Sequence, residues 1–382
     1  MKSRIFLFVA ICLSAAGIAG HWLGFALFAP YAIWFFAGGL VMMSCVVLSA
    51  TYYRSGANWT DNSKQPQPLY LTWPDYLKAV VCWCDAFKRT YAIEPGLYYT
   101  GKHYDHETPL LVTSNYFLTV FLVVRRIRVF NARLLVIDTD GINVWCAAGE
   151  GKFSNTEILK QLNRYEQKLL TNDHRLTLIL PKLGFAGVNR RELRKAGVRP
   201  IIGPIYAKDL PAYLSQPPYK DCDVDRILFD FQSRLFTWLP GLVQVFTYSF
   251  AIVLAFWGIE QIWGLPVPMG IIVLSGVLAT AYPILFPWIP GKRFAVKGLW
   301  LAVLISLVIC ALTAAGVLSL ANLPMTLLFT FGTGIFFGLS YSGNSAVSNY
   351  SRVRKEIARF LPLYGLLYAA SLAAFVITEV YR

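Results

Sequence analysis

Charged side chains are scarce in this sequence. They make up 15% of the 382 residues, while apolar residues make up 56%, and an ordinary soluble protein carries about 25% charged residues. This balance excludes a wholly soluble enzyme of average composition and indicates membrane segments. Histidine is also rare, with four dispersed residues, of which His103 and His106 could form a surface pair but are interpreted as solvated loop residues.

Motifs that define several common binding proteins are absent from the sequence. It has neither the G-x-x-x-x-G-K-[ST] loop nor the G-x-G-x-x-G loop that bind phosphates, and the glycine-rich run 149–152 is too short and wrongly spaced for either. The formal net charge is +14, yet no dense basic tract and no zinc-finger, RRM or KH signature accompanies it. We therefore expect no nucleic-acid partner.

Cysteine is sparse and scattered. The seven residues show no spacing that implies a disulfide framework, and three of them lie in apolar segments. The pair Cys82 and Cys84 forms a C-x-C motif without a second pair nearby. Packing or interfacial placement explains this pair better than metal binding does.

The charges that are present are concentrated in one part of the chain. Residues 54–236 carry 25 Lys and Arg and 18 Asp and Glu, whereas the rest of the chain carries only 10 and 3. This distribution predicts three parts: an N-terminal transmembrane hairpin (1–53), a polar domain with linkers (54–236) and a five-helix transmembrane domain (237–382).

Two long apolar runs precede the polar domain and five follow it. A hydrocarbon core about 30 Å thick needs about 20 apolar residues, so residues 5–28 and 29–53 suit a hairpin. The first run could instead be a cleaved signal peptide, but its length and the second run that follows at once favour an uncleaved anchor. The five later runs are at 237–262, 269–289, 298–320, 323–342 and 361–380.

Positive charge predicts the orientation of these seven spans. With the N-terminus in the cytoplasm, nine of the ten Lys and Arg outside the polar domain fall on the cytoplasmic side, as the positive-inside rule requires. We expect a multi-pass protein of the inner (cytoplasmic) membrane, with the polar domain in the cytoplasm and the C-terminus outside. Transport is disfavoured because the last five spans hold almost no ionisable residues.

The polar domain alternates between apolar strands and helices. Near-continuous apolar strands that alternate with helices predict a parallel, Rossmann-like α/β sheet covered on both faces, beside an all-α membrane part. The predicted strands are at 110–112, 134–137, 176–180 and 200–202, and the predicted helices are at 73–87, 116–128, 154–169, 189–196 and 207–214.

Ligands of such sheets bind at the carboxyl ends of the strands. Four segments follow predicted strands and are rich in Gly, Pro and small polar residues, which let the backbone approach a flat ligand closely. They are 113–115, 139–149, 181–184 and 203–204.

Among the residues predicted at this rim, Cys146 is the one with a thiol, and the sequence alone leaves the role of this thiol open. A cysteine of this kind is most often a small buried hydrophobe. As a nucleophile it would need a neighbouring His, and no candidate stands at the predicted rim. As a metal ligand, a single thiolate is sufficient where a macrocycle already fills the equatorial positions.

The segment from Asn143 to Gly149 (NVWCAAG) resembles the cap-helix motif of the corrinoid protein of microbial mercury methylation, the HgcA family. The resemblance extends from about residue 70 to the C-terminus. The other segments that carry it are 94–98, 112–116, 136–141, 180–184, 203–204, 287–291 and 353–356.

The resemblance implies a membrane-anchored, corrinoid-dependent methyltransferase that passes a cobalt-bound methyl group to Hg(II). It makes Cys146 the lower axial ligand of cobalt. The implied partners are a methyl-donor protein or small molecule and a ferredoxin-like iron–sulfur protein that reduces the cobalt. This second partner is a separate chain, because the sequence has no C-x₂-C-x₂-C-x₃-C run.

The resemblance also implies which residues hold the corrinoid. Those of the cap helix shape the surface beside the macrocycle, and Trp145 serves equally well as a core anchor. The implied cofactor-binding residues are Asn143, Val144, Trp145, Cys146, Ala147, Ala148 and Gly149 in the cap, and Thr113, Asn115, Gly184 and Gly203 at the rim.

Three features depart from the family pattern and leave the methyl acceptor open. Glu150 stands where the family usually has Lys, with Lys152 two residues later; Phe117 and Val120 replace more polar residues; and the N-terminal hairpin is additional. The alternatives are methyl transfer to another acceptor and a corrinoid-binding or sensory membrane protein that transfers no methyl group.

Overall fold

The computed structural model describes residues 65–84, 91–165, 169, 176–222, 227, 229–238, 240–243, 270–344, 348 and 350–381. The predicted N-terminal hairpin (1–53) and most of the predicted span at 237–262 lie outside these residues.

A six-stranded sheet forms the centre of the polar domain, in the order β1-β2-β4-β3-β5-β6. The strands β3, β4, β5 and β6 run parallel to one another, which confirms the parallel arrangement expected for these four. The strands are β1 (Gln67–Pro68), β2 (Gly96–Thr100), β3 (Leu110–Ser114), β4 (Ala132–Ile137), β5 (Thr177–Leu180) and β6 (Arg199–Ile202).

The expectation of an entirely parallel sheet is corrected by β2, which pairs with β4 in the antiparallel direction. The short connection 101–109 joins β2 to β3 without a helix. A parallel crossover needs a dozen or more residues, usually with a helix, so this connection requires β2 and β3 to run in opposite directions. The sheet is therefore mixed, with parallel pairs dominating.

Helices cover both faces of the sheet, as predicted. The helices of the polar domain are α1 (Trp73–Cys84), α2 (Phe117–Ile127), α3 (Val144–Gly149), α4 (Asn155–Arg164), α5 (Arg190–Lys195) and α6 (Leu210–Leu214). Because side chains alternate along a strand, Leu134 and Val136 face the core under α1, α2 and α6, and Leu135 and Ile137 face the core under α3, α4 and α5.

The core under α1, α2 and α6 explains two features of the sequence. Phe117 and Val120, which depart from the family pattern, are fully buried on α2 and pack against the sheet. Their apolar character is a requirement of this core. Cys82 is buried in the same core with its Sγ 3.0 Å from the hydroxyl of Tyr116, which supports the packing interpretation for this cysteine.

The C-terminal part is helical and apolar. Its helices are α7 (Gly270–Leu285), α8 (Phe294–Ala314), α9 (Leu323–Asn344) and α10 (Tyr350–Val380). Among the described helices, α8, α9 and α10 contain segments long and apolar enough to cross a membrane, and α7 is shorter. Membrane association is therefore compatible with the structure, whereas the orientation of the termini stays a prediction.

A glycine contact and a carboxylate hold α8 in place. A Cβ atom on Gly298 would lie 1.9 Å from the carbonyl oxygen of Gly334 on α9, so the two backbones touch. The carboxylate of Glu356 on α10 accepts a hydrogen bond from the N–H of Ala295 (2.6 Å). It thereby satisfies a donor at the positive N-terminus of α8.

Residues 231–238 are helical and are here called the pre-membrane helix; in the chain they lie between the sheet and the C-terminal helices. The guanidinium of Arg234 donates to the carbonyl oxygen of Pro283 on α7 (2.9 Å) and to that of Phe229 (2.8 Å). The hydroxyl of Tyr341 on α9 donates to the carbonyl oxygen of Arg234 (2.7 Å). The pre-membrane helix is thus hydrogen-bonded to α7 and α9.

Candidate functional site

The loop between β4 and α3 is organised by the side chain of Asn115. Its oxygen accepts hydrogen bonds from the N–H of Thr139 (3.0 Å), the hydroxyl of Thr139 (2.9 Å) and the N–H of Gly141 (3.1 Å). Its nitrogen donates to the carboxylate of Asp138 (3.2 Å). Asn115 is 4% exposed, and these contacts fix a turn in which Asp140 and Gly141 have positive φ angles of 59° and 66°.

The turn leads directly into α3, the cap helix, which carries Cys146. The side-chain oxygen of Asn143 accepts a hydrogen bond from the N–H of Cys146 (2.9 Å) and caps the N-terminus. At the other end, the N–H groups of Lys152 (2.8 Å) and Phe153 (3.1 Å) donate to the carbonyl oxygen of Ala147. The helix is short, yet its two ends are fixed.

Glycines in the 3₁₀ turn Lys182–Gly187 form the seat of the cap helix. A Cβ atom on Gly184 would lie 2.7 Å from the ring of Phe153 and 2.9 Å from Val144, and one on Gly187 would lie 2.1 Å from the carbonyl oxygen of Phe153. Any side chain at either position would push the cap helix away. In this seat Ala147 and Val144 are buried and Cys146 is half-buried.

A cavity of about 600 Å³ lies at the carboxyl ends of the parallel strands, a volume typical of small-molecule sites. The cap helix, the strand ends and the first turn of α2 form one wall. Side chains from residue 227 and from residues 229–237 complete the lining. Most of the lining is apolar, and Cys146 supplies the thiol.

The structure brings six of the eleven predicted site residues to this cavity. They are Thr113, Asn143, Val144, Trp145, Cys146 and Gly203. The other five support the cap instead of lining the cavity: Asn115 holds the loop, Ala147 is buried beneath the helix, Gly184 seats it, and Ala148 and Gly149 complete its last turn.

Several lining residues were absent from the sequence-based prediction. They are Tyr206 and Lys208 beyond β6, and Phe229, Asp230, Ser233 and Phe236 near the pre-membrane helix. For Tyr206 and Lys208 the sequence contained a nearby signal, because Gly203 and Pro204 indicated the end of the preceding strand. The second group follows a polar linker, and no periodicity or motif of the sequence indicated that this segment folds back over the rim.

The charges beside the cap form a chain of ion pairs. The ammonium group of Lys152 lies 2.7 Å from a carboxylate oxygen of Asp140 and 3.3 Å from one of Glu150. Glu150 therefore has a cation beside it, although it stands where the family usually has Lys. The expected reversal of charge at the rim is offset in part by Lys152.

None of the described residues that line the cavity is a histidine. A thiol–imidazole pair of the kind that activates a cysteine nucleophile is therefore not formed by these residues.

Comparison with known proteins finds a similarity that covers part of the chain. No family model matches the sequence. The chain is 28% identical over 154 residues to a protein of Methanosarcina thermophila, the acetyl-CoA decarbonylase/synthase complex subunit gamma 2. The match covers 39% of this chain and 32% of that protein, so the chain spans about a third of the length of this relative.

Proposed function

We propose that this protein binds a corrinoid in the cavity at the sheet rim, with Cys146 as the lower axial ligand of cobalt. The observation that carries the proposal is the position of Cys146: its thiol lines the cavity from a helix whose two ends are fixed by hydrogen bonds. A fixed helix keeps the donor atom in one place, as a metal ligand requires.

The donor set of the cavity fits a metal held by a macrocycle. No group of three or more His, Cys, Asp or Glu that could hold a bare ion is found among the described residues. A corrin ring supplies four equatorial nitrogens itself, so one soft thiolate is sufficient. The apolar walls fit the ring edges, and Thr113, Ser233 and Lys208 offer polar contacts for its amide side chains.

The comparison with known proteins supports this proposal in a general way. The relative is a subunit of a complex named for acetyl-CoA decarbonylation and synthesis, and similarity to it supports a corrinoid-related role. Since the match covers only about a third of that subunit, the activity of the complex is not assigned to this chain.

We further propose that the protein is a membrane-anchored corrinoid-dependent methyltransferase with Hg(II) as the acceptor. Cys146 would hold the corrinoid, and the bound cofactor would supply a methyl group whose transfer to a soft metal acceptor is favoured by thiolate donation. The chain contributes the thiolate of Cys146 in a mostly apolar cavity. A separate ferredoxin-like iron–sulfur protein and a methyl donor complete the proposed system.

Two alternatives share the same cavity. Glu150, which pairs with Lys152, stands where the family usually has Lys, and this departure favours a different acceptor or reductant. A corrinoid-binding or sensory protein would keep the thiolate ligand and transfer no methyl group.

Corrinoid titration of the full-length protein in detergent tests the proposal. We expect hydroxocobalamin to bind to the wild type and Cys146→Ala to shift the absorption bands of the bound cofactor. Cys222→Ala is the matched control, because this half-buried thiol lies outside the cavity lining. An identical spectrum in wild type and Cys146→Ala would remove Cys146 from the coordination of cobalt.

A single-turnover reaction separates methyl transfer from binding alone. Protein loaded with methylcobalamin is mixed with Hg(II), and the products are measured by mass spectrometry. Methylmercury formation supports the mercury methyltransferase, whereas an intact cobalt-bound methyl group supports a binding or sensory protein.

A further inference from the structure

We infer that the pre-membrane helix is the second wall of the corrinoid site and that Trp83 is the residue that positions it. This inference rests on the proposed corrinoid binding. It adds a set of contacts that lie outside the cap helix and outside the sheet rim.

This second wall is built from the pre-membrane helix and the residues just before it. Both apolar and polar side chains of this segment line the cavity. They are Ile227, Phe229, Asp230, Gln232, Ser233, Phe236 and Thr237. A ligand in the cavity therefore lies between the polar domain and the segment that leads into the membrane part.

Trp83 joins this wall to the polar domain. Its indole N–H donates to the carbonyl oxygen of Phe236 (2.8 Å), and the two rings are stacked with centroids 5.1 Å apart and planes 21° apart. Trp83 lies on α1, which is anchored in the core by Ala79 and Cys82. The contact therefore fixes both the backbone and the ring of Phe236.

Phe236 keeps apolar surface available for a ligand. It remains 40% exposed although one face of its ring is stacked on Trp83, and it lines the cavity. Covering such surface with the edge of a macrocycle is favourable by about 25 cal/mol per Å². Phe236 is thus a contact residue, and Trp83 acts through it.

The same wall is fastened on its other side to the membrane helices. Phe229 lines the cavity and also packs edge-on against Phe286 at 5.2 Å and against Tyr341 at 6.1 Å. The hydrogen bond of Arg234 to Pro283 on α7 acts beside it. A corrinoid held here would bridge the two parts of the protein and stabilise their junction by mass action.

The test uses the full-length protein, hydroxocobalamin as the probe and four variants. We expect Trp83→Ala and Phe236→Ala to weaken corrinoid binding by about tenfold, because each removes an aromatic contact. Trp83→Phe keeps the stacking and should recover most of the affinity. Trp73→Ala is the matched control, since Trp73 lies on the same helix and is 61% exposed, outside the cavity lining.

Two further measurements distinguish positioning from general destabilisation. The absorption bands that report Cys146 coordination should be the same in all four variants. Hydrogen exchange at residues 231–238 should slow when corrinoid is added to the wild type and should slow less in Trp83→Ala.

The outcomes separate this inference from the proposed function. Corrinoid affinity equal to wild type in both Trp83→Ala and Phe236→Ala, or no change in exchange at residues 231–238, would overturn the second wall while leaving corrinoid binding intact. A wild type that binds no corrinoid would instead overturn the proposed function, and the inference with it.

Discussion

The two walls of the cavity are held in place by different kinds of contact. The cap helix is fixed by hydrogen bonds within its own segment and by Asn115 at the end of the neighbouring strand. The pre-membrane helix is fixed by Trp83, which is 153 positions away in the chain, and by Arg234 against α7. The contacts of the cap helix span a few tens of residues in the chain, whereas those of the pre-membrane helix reach up to 153 positions.

This difference predicts how each wall responds to change. The wall formed by the cap helix depends on buried polar atoms and on the absence of side chains at Gly184 and Gly187. Small substitutions there are therefore costly. The wall formed by the pre-membrane helix depends on the buried hydrogen bond of Arg234 to α7. Its contact with Trp83 consists of aromatic stacking and an exposed hydrogen bond, which contribute less per contact.

The largest effect is expected at Gly187, in the seat of the cap helix. In Gly187→Ala the new Cβ would lie 2.1 Å from the carbonyl oxygen of Phe153, so the cap must shift, at a cost of about 3 kcal/mol. Thermal denaturation and corrinoid titration should both show the loss. Gly365→Ala is the control: a Cβ there meets no atom within 4 Å, and stability should be unchanged or slightly raised.

Removal of the Asn115 side chain should be nearly as costly. Asn115→Ala leaves the N–H groups of Thr139 and Gly141 without their side-chain acceptor, which we expect to cost about 2–3 kcal/mol. Asn131→Ala is a matched control, because Asn131 is exposed and accepts a weaker bond from Lys102 at 3.3 Å. Equal losses in the two variants would show that Asn115 does not organise the loop.

The smallest effect on corrinoid affinity is expected at Asp230, in the wall formed by the pre-membrane helix. Hydrogen bonds from the side chain and backbone N–H of Ser233 lower the pKa of the Asp230 carboxyl below its ordinary value. The stabilisation from this contact is therefore present above the unfolded pKa, about 3.9, and is lost as pH falls through the lower folded pKa. The group is exposed, so corrinoid affinity should change by less than about threefold.

Asp230→Asn separates this titration from acid unfolding of the whole protein. The amide keeps an oxygen that can accept from Ser233 but does not titrate. The pH dependence of corrinoid affinity below pH 5 should be weaker in the variant than in the wild type. Identical profiles would assign the acid response to other groups.

The sequence was sufficient to predict most of the polar domain. The apolar runs at 110–112, 134–137, 176–180 and 200–202 predicted four strands that the structure contains, and Ser154 caps α4 within the predicted helix 154–169. The strand β2 was not predicted, since its pairing with β4 depends on contacts between segments that are remote in the chain.

Only the part of the candidate site around the cap helix could be predicted from the sequence. The motif around Cys146 and the rule for strand ends identified the cap wall, because both act over a few residues. Asn115 and Gly184 were predicted to contact the cofactor, and the structure places them beneath the cap, where they position other residues. Phe236 and Trp83 could not be paired from the sequence, since stacking between remote aromatic residues leaves no periodic pattern.

Cobalt X-ray absorption spectroscopy of the corrinoid-loaded, full-length protein is the most direct test of the central claim. The account predicts a cobalt–sulfur scattering contribution in the wild type that persists in Cys222→Ala and disappears in Cys146→Ala. A cobalt site with only nitrogen and oxygen neighbours in the wild type would contradict it.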